Sequence, residues 1–154
     1  MRPPVRDGAL PMQISLAEAA DAPRLFEVWE ASVRATHHFL PEHAIAKLAP
    51  IVRELLHTFT PIHCIRDASG LPYAFMGTSG SMLEMLFVDP ARRGNGAGRV
   101  LVAHAIERLG VTEVDVNEDN AQALGFYEHL GFRRHARSPV DAFGDPYPIL
   151  HLKR

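Results

Sequence analysis

One stretch restricts this chain more than any other. It runs Met82-Leu83-Glu84-Met85-Leu86-Phe87-Val88, continues through Asp89-Pro90-Ala91-Arg92-Arg93-Gly94-Asn95-Gly96-Ala97-Gly98-Arg99, and ends in Val100-Leu101. An apolar run with Phe87 and Val88 suits a buried strand, Asp89-Pro90 stops it, and Val100, Leu101, Ala103, Ile106 and Leu109 recur at helical spacing. Strand, glycine-rich turn and helix in that order leave backbone N–H groups uncovered where the positive end of the helix dipole lies. Such a turn holds an anion, so the first expectation is a phosphate-bearing ligand.

The flanking segments supply the rest of an α/β pattern. Met12, Ile14 and Leu16 predict a strand over 12–17, and Asp21 offers a cap to a first helix, with Pro23 in its first turn. Leu25, Val28, Trp29 and Ser32/Val33 give that helix a buried stripe. Thr36-His37-His38-Phe39-Leu40-Pro41 breaks the period. Ile45, Leu48, Val52, Leu55, Leu56 and Phe59 then line a second helix, which Pro50 is expected to kink or split. Residues 62–66 and 73–77 read as a hairpin around 67–70. Gly110 ends the helix over 98–109, and 111–116 alternates as a strand. A strand, helix, strand crossover is right-handed, so 82–88 and 111–116 should be parallel neighbours. Asn117 or Asn120 caps a last helix carrying Ala123, Phe126, Tyr127 and Leu130, Gly131 stops it, and strands near 132–137 and 148–152 flank a loop over 138–147.

Composition narrows the function classes. With 154 residues, 47% of them hydrophobic and 22% charged, the chain suits one domain over 12–154 behind a proline-rich, polar tail at 1–11. A net charge of -2 argues against coating nucleic acid. No apolar run approaches the roughly 18 residues that span a bilayer, and Pro3, Pro4, Asp7, Gly8 and Pro11 interrupt any signal-peptide core. The lone Cys64 precludes an internal disulfide and reads as a small buried core residue. The expectation is a cytoplasmic protein with neither a nucleic-acid nor a membrane partner. Histidines are frequent, but no His-Glu-x-x-His or paired Cys/His spacing occurs, so no metal site is expected.

Spacing separates the readings of the glycine turn. A nucleotide P-loop needs Lys-Ser or Lys-Thr after its last glycine, and none follows Gly98. The dinucleotide fingerprint places Arg99 where its third glycine belongs, although Asp115 lies where a ribose-binding acid would. By contrast, Arg93-x-x-Gly96-x-Gly98 between Leu86-Phe87-Val88-Asp89-Pro90 and Val100-Leu101 resembles the acyl-CoA pyrophosphate loop of the GNAT superfamily of N-acyltransferases. Residues 116–132, with Asn117, Asn120, Ala121, Phe126-Tyr127 and Gly131-Phe132, are similar to the same family's Asn-x-x-Ala…Phe-Tyr-x-x-x-Gly-Phe element. Two motifs in the right order, covering about 82–132, are far more specific than one glycine loop.

The resemblance implies a GNAT fold: a mixed, partly parallel sheet of about six to seven strands flanked by about four helices. Its sheet would have a V-shaped split between strands 82–88 and 111–116. The implied activity is transfer of an acetyl group from acetyl-CoA directly to a primary amine, on a small molecule or a peptide. In this family the pantetheine arm pairs with the backbone of the central strand, here Leu86, Phe87 and Val88. The pyrophosphate would sit on amides of Arg93, Gly94, Asn95, Gly96, Ala97 and Gly98, with Arg92, Arg93 or Arg99 adding charge. Asn117 and Asn120 match positions that contact the pantetheine arm or cap the next helix. Tyr127 matches the tyrosine that protonates the leaving thiolate; the alternative is a core aromatic with its hydroxyl at the rim. Glu84, the one charge in an apolar strand, is the candidate base, unless alternation sets it beside Leu86 and Val88 at a solvated strand end. Trp29, His37, His38 and Phe39 correspond to one wall of the acceptor site and Tyr147 to the other. A homodimer is compatible with the family. The rivals are a catalytically silent acyl-CoA sensor and a dinucleotide-binding enzyme.

Overall fold

A computed structural model describes residues 12–154; the tail expected at 1–11 lies outside the described residues. Among the described residues seven strands form one sheet: β1 (Ile14–Leu16), β2 (Ile62–Arg66), β3 (Pro72–Ser79), β4 (Met82–Val88), β5 (Glu113–Asn117), β6 (Arg133–Ser138) and β7 (Ile149–Lys153), in the order β1-β2-β3-β4-β5-β7-β6. Helices α1 (Ala22–Thr36) and α2 (Glu42–Thr58) cover one face, and α3 (Ala97–Leu109) and α4 (Ala121–His129) the other. All neighbouring strands are antiparallel except β4 and β5, whose parallel pairing follows from the crossover through α3.

Each face has its own apolar layer. Leu25, Val28 and Trp29 of α1 pack with Ile45, Leu56, Cys64, Phe75 and Met85, while Leu101, Val102 and Ala105 of α3 pack with Ile65, Met76, Phe132, Leu150 and Leu152. Cys64 is fully buried, as its small apolar character requires. Other local expectations are corrected. Asp21 stands before α1 but makes no side-chain cap; its carboxylate accepts from Arg66 at 2.7 and 2.9 Å, since a guanidinium across the sheet edge is the stronger partner. α2 runs unbroken through Pro50, which does not split it, and ends before Phe59, whose backbone is already extended. Leu55 of its expected stripe is exposed.

The pivot of the sheet is Glu84. Across β3 and β4, Gly77 faces Met85 and Thr78 faces Leu83, so Glu84 has no opposite residue and forms a β-bulge. The extra residue shifts the alternation: Leu83 enters the α3/α4 layer, Met85 and Phe87 the α1/α2 layer, and Leu86 and Val88 the α3/α4 layer. Unbroken alternation of Glu84 with Leu86 and Val88 is therefore corrected. A side chain at Gly77, opposite the bulge, would make its neighbours shift, because a Cβ there would come 2.6 Å from Met85 Cε and 2.8 Å from Phe59 Cε1. β5 pairs with β4 only at Met82↔Glu113 and Leu83↔Val114. Beyond that the strands part, opening the V-shaped split.

Candidate active site

The α3 side of the split opens into a cavity of about 680 Å³. One wall is Leu86, Phe87 and Val88, which β5 leaves unpaired on that edge; the floor is the turn over 92–99. In that turn Gly94 and Gly96 take φ of +79° and +85°, the left-handed region glycine adopts without strain. Gly96 precedes α3 with no side-chain cap, and the first bond back to its carbonyl comes from Val100. The N–H groups of Ala97, Gly98 and Arg99 thus have no partner within the helix, and the dipole adds positive potential. Gly98 admits Phe126, whose ring would contact a Cβ there at 3.5 Å. Arg92, Arg93 and Arg99 all line the cavity; Arg92 also stacks on Tyr73 at 5.0 Å and pairs with Asp67 at 3.7 Å, which leaves Arg93 and Arg99 as the cations without such partners.

The opposite wall is α4. Asn120 caps it, its Oδ1 accepting from Ala123 N–H at 3.1 Å, and also lines the cavity. Tyr127 is buried between Phe126 (5.0 Å) and Phe132 (5.7 Å), both edge-on, and faces the same space. Burial holds its hydroxyl well above the ordinary phenol range, so it is protonated at neutral pH. His37 closes the far end. Burial, then the charges of Arg93 and His38, lower its pKa to about 4, so the ring is neutral. Thr36 gives its hydroxyl hydrogen to Ser32 O at 2.7 Å, so Thr36 Oγ1 accepts from His37 Nδ1–H at 2.8 Å and Nε2 is left as an acceptor.

A second cavity, about 410 Å³, lies on the α1/α2 face over β5, β7 and β6. Leu40, Leu48, Val140, Phe143 and Tyr147 form its apolar walls, and Asp115, Asn117, Ser138, Asp141 and His151 its polar ones. The loop over 139–147 roofs it. Asp141 Oδ1 accepts from the N–H groups of Phe143 and Asp145, both at 2.9 Å, and Lys47 of α2 donates to Asp145 at 2.7 Å. Phe39 lines neither cavity; its ring lies 5.3 Å from that of His37, which borders the first, and 6.2 Å from that of Tyr147, which borders the second.

Not every expected residue reaches these spaces. Trp29 is a core residue, 4% exposed and packed on Phe26, because the stripe of α1 faces the sheet. His38 is exposed and lines neither cavity. Asn117 lines the second cavity, not the first, and caps nothing. Glu84 lines neither; it is exposed as a residue, yet partial burial and then the charge of Asp115 raise its carboxyl pKa. Sequence reading missed Ser138, His151 and the role of Asp115. The one signal was His151 as the polar member of Ile149-Leu150-His151-Leu152, where period two turns it away from the core.

Comparison with known proteins gives a consistent neighbourhood. A family profile described as an acetyltransferase (GNAT) domain matches residues 62–134. The peptidyl-lysine N-acetyltransferase YjaB of Escherichia coli is 42% identical over 128 residues, covering 83% of this chain and 86% of that protein. The solution structure of apo-form YjaB from the same organism superposes with a TM-score of 0.87 at 38% identity, covering 94% of this chain and 97% of that one. The PaiA N-acetyltransferase of Thermoplasma acidophilum, solved in complex with coenzyme A, shares the fold with a TM-score of 0.72 at 18% identity, over 94% and 100% of the two chains.

Proposed function

We propose, for a chain that belongs to the GNAT superfamily of acetyl-CoA-dependent N-acetyltransferases, that the acceptor is the side-chain amine of a lysine in a peptide or protein. One observation carries this reading: the second cavity pairs apolar walls (Leu40, Leu48, Phe143) with carboxylates (Asp115, Asp141), the chemistry that receives an alkyl stem ending in an ammonium. The peptidyl-lysine relatives YjaB and YiaC of Escherichia coli support it.

In this reading acetyl-CoA binds on the α3 side. The amides over 93–98 hold its pyrophosphate, Arg93 and Arg99 add charge, and its pantetheine amides pair with the free edge of Leu86, Phe87 and Val88. Asn120 borders the same arm. The amine approaches from the second cavity along Phe39 and Tyr147. Its lone pair attacks the thioester carbonyl carbon, the C–N bond forms as the C–S bond breaks, and Tyr127 protonates the departing thiolate. Glu84, its pKa raised by partial burial and then by Asp115, lines neither cavity and acts only through its charge on Asp115. The reaction needs no covalent enzyme intermediate. No helix of the described residues is long and apolar enough to cross a membrane, and the free Cys64 suits the reducing cytoplasm.

The test is CoA release from acetyl-CoA with lysine peptides, free lysine, spermidine and an aminoglycoside as acceptors. The peptides should give the highest kcat/KM. Turnover of another amine with none of the peptides overturns the acceptor assignment, and tight acetyl-CoA binding with no turnover on any amine would make the chain a sensor. Asp115, the acid a dinucleotide site would use, is bound to His151 at 2.7 Å on the opposite face from the glycine turn.

A further inference from the structure

Three neighbouring strands bring one polar chain to the second cavity. Asp115 on β5 and His151 on β7 are direct cross-strand partners, and Ser138 on β6 stands beside them near the start of the roofing loop. Asp115 Oδ1 lies 2.7 Å from His151 Nδ1, and Ser138 Oγ lies 2.7 Å from His151 Nε2. A carboxylate only accepts, so Nδ1 carries a proton, and in the tautomer with Nδ1–H alone Nε2 accepts from the Ser138 hydroxyl. Buried Leu150 and Leu152 flank His151, which fixes its face. All three groups line the cavity assigned above to the acceptor, and the histidine side chain remains 29% exposed.

Resting on that acceptor assignment, we propose that Ser138, His151 and Asp115 form the relay that removes the proton from the acceptor ammonium before acetyl transfer. The ammonium donates its proton to Ser138 Oγ as the Ser138 hydroxyl proton passes to His151 Nε2. The imidazolium that forms is stabilised by Asp115 and returns its Nε2 proton to water through the Ser138 hydroxyl once the acetylated product has left. The amine, now neutral, attacks the thioester. The second proton leaves the nitrogen as the amide forms and replaces the one that Tyr127 gives to the thiolate, so the atoms and charges balance. Ser138 is the member that touches substrate; His151 and Asp115 act through it.

The charges around the ring favour this direction. From β5 the ring meets Asp115, and through it Glu84 of the β4 bulge; the roof contributes Asp141 and Tyr147; β6 contributes His135, with its ring centre 6.5 Å away; Lys153 shares the strand. Lys47, the cation of α2 at this roof, is paired with Asp145.

The experiment compares wild type with Ser138→Ala, Ser138→Thr and His151→Gln in the full chain. It measures kcat against pH on a lysine peptide, acetyl-CoA affinity by calorimetry, and thermal unfolding. Ser138→Ala and His151→Gln should each lose about 100-fold in kcat near neutral pH, with acetyl-CoA affinity and unfolding unchanged. The deficit should shrink towards the pKa of a lysine amine, about 10.4, where the acceptor arrives neutral. Ser138→Thr, which keeps the hydroxyl, should restore most of the activity. A loss that is equal at every pH, or wild-type kinetics in Ser138→Ala, overturns the relay. If His151→Gln fails to fold, the Ala and Thr pair at 138 decides alone. If wild type acetylates spermidine but no peptide, the lysine assignment fails and the relay is judged on spermidine by the same comparison. If it acetylates no amine, both fall.

Discussion

Tyr127 is held edge-on between Phe126 and Phe132, and the burial that raises its pKa keeps a proton available on the wall of the first cavity. Replacing it with phenylalanine keeps those ring contacts and removes only the hydroxyl. Tyr127→Phe should therefore lower kcat by about 100-fold while leaving acetyl-CoA affinity and unfolding temperature near wild type; CoA release and calorimetry measure the three. An unchanged kcat would reduce the residue to a core aromatic. Tyr127 was legible because Phe-Tyr followed by Gly131-Phe132 is a local pattern. His151 was not, since its partners lie 13 and 36 residues away and only strand pairing brings them within hydrogen-bond reach. Trp29 errs the other way: a large aromatic near an expected site is still a core residue when its helix turns that face to the sheet.

At the scale of elements, the turn before α3 is the most self-contained part of the site. Its two left-handed glycines and its uncapped helix start need no distant partner, and their spacing in the chain already carries the pattern of an anion-binding turn. Gly96→Ala should cost about 1–2 kcal/mol of folding stability, because a Cβ is unfavourable at that backbone angle. It should also raise KM for acetyl-CoA while KM for the acceptor changes little; denaturant unfolding and steady-state kinetics check the two parts. The bulge in β4 was invisible in the same residues. Met82-Leu83-Glu84-Met85 reads equally well as regular alternation, and what places an extra residue at Glu84 is the register with β3, which shifts between Gly77 and Thr78.

Over the described residues, the bulge and the short pairing of β5 make a sheet that holds together at one end and opens at the other, with the first cavity in the split and the second on the α1/α2 face. A ligand that fills the first cavity binds only the folded state. Coenzyme A at about 100 times its dissociation constant should stabilise the fold by about 2.7 kcal/mol, raising the unfolding temperature by about 5–10 °C, and NAD should not. Equal shifts with both would return the glycine turn to the dinucleotide reading. What the residue order determined by itself was whatever depends on neighbours in the chain: helical and strand periods, the glycine turn with its free amides, a cap at Asn117 or Asn120, the Phe-Tyr pair, and from these the GNAT resemblance and its cofactor. Tertiary structure decided what depends on register and on residues far apart: the bulge at Glu84, the burial of Trp29, the engagement of Arg92 by Asp67 and Tyr73, and the chain from Asp115 through His151 to Ser138. Periodicity reports which face a residue prefers. Contacts between strands are set by which of many similar pairings buries the most apolar surface with its backbone satisfied, and no single segment carries that choice.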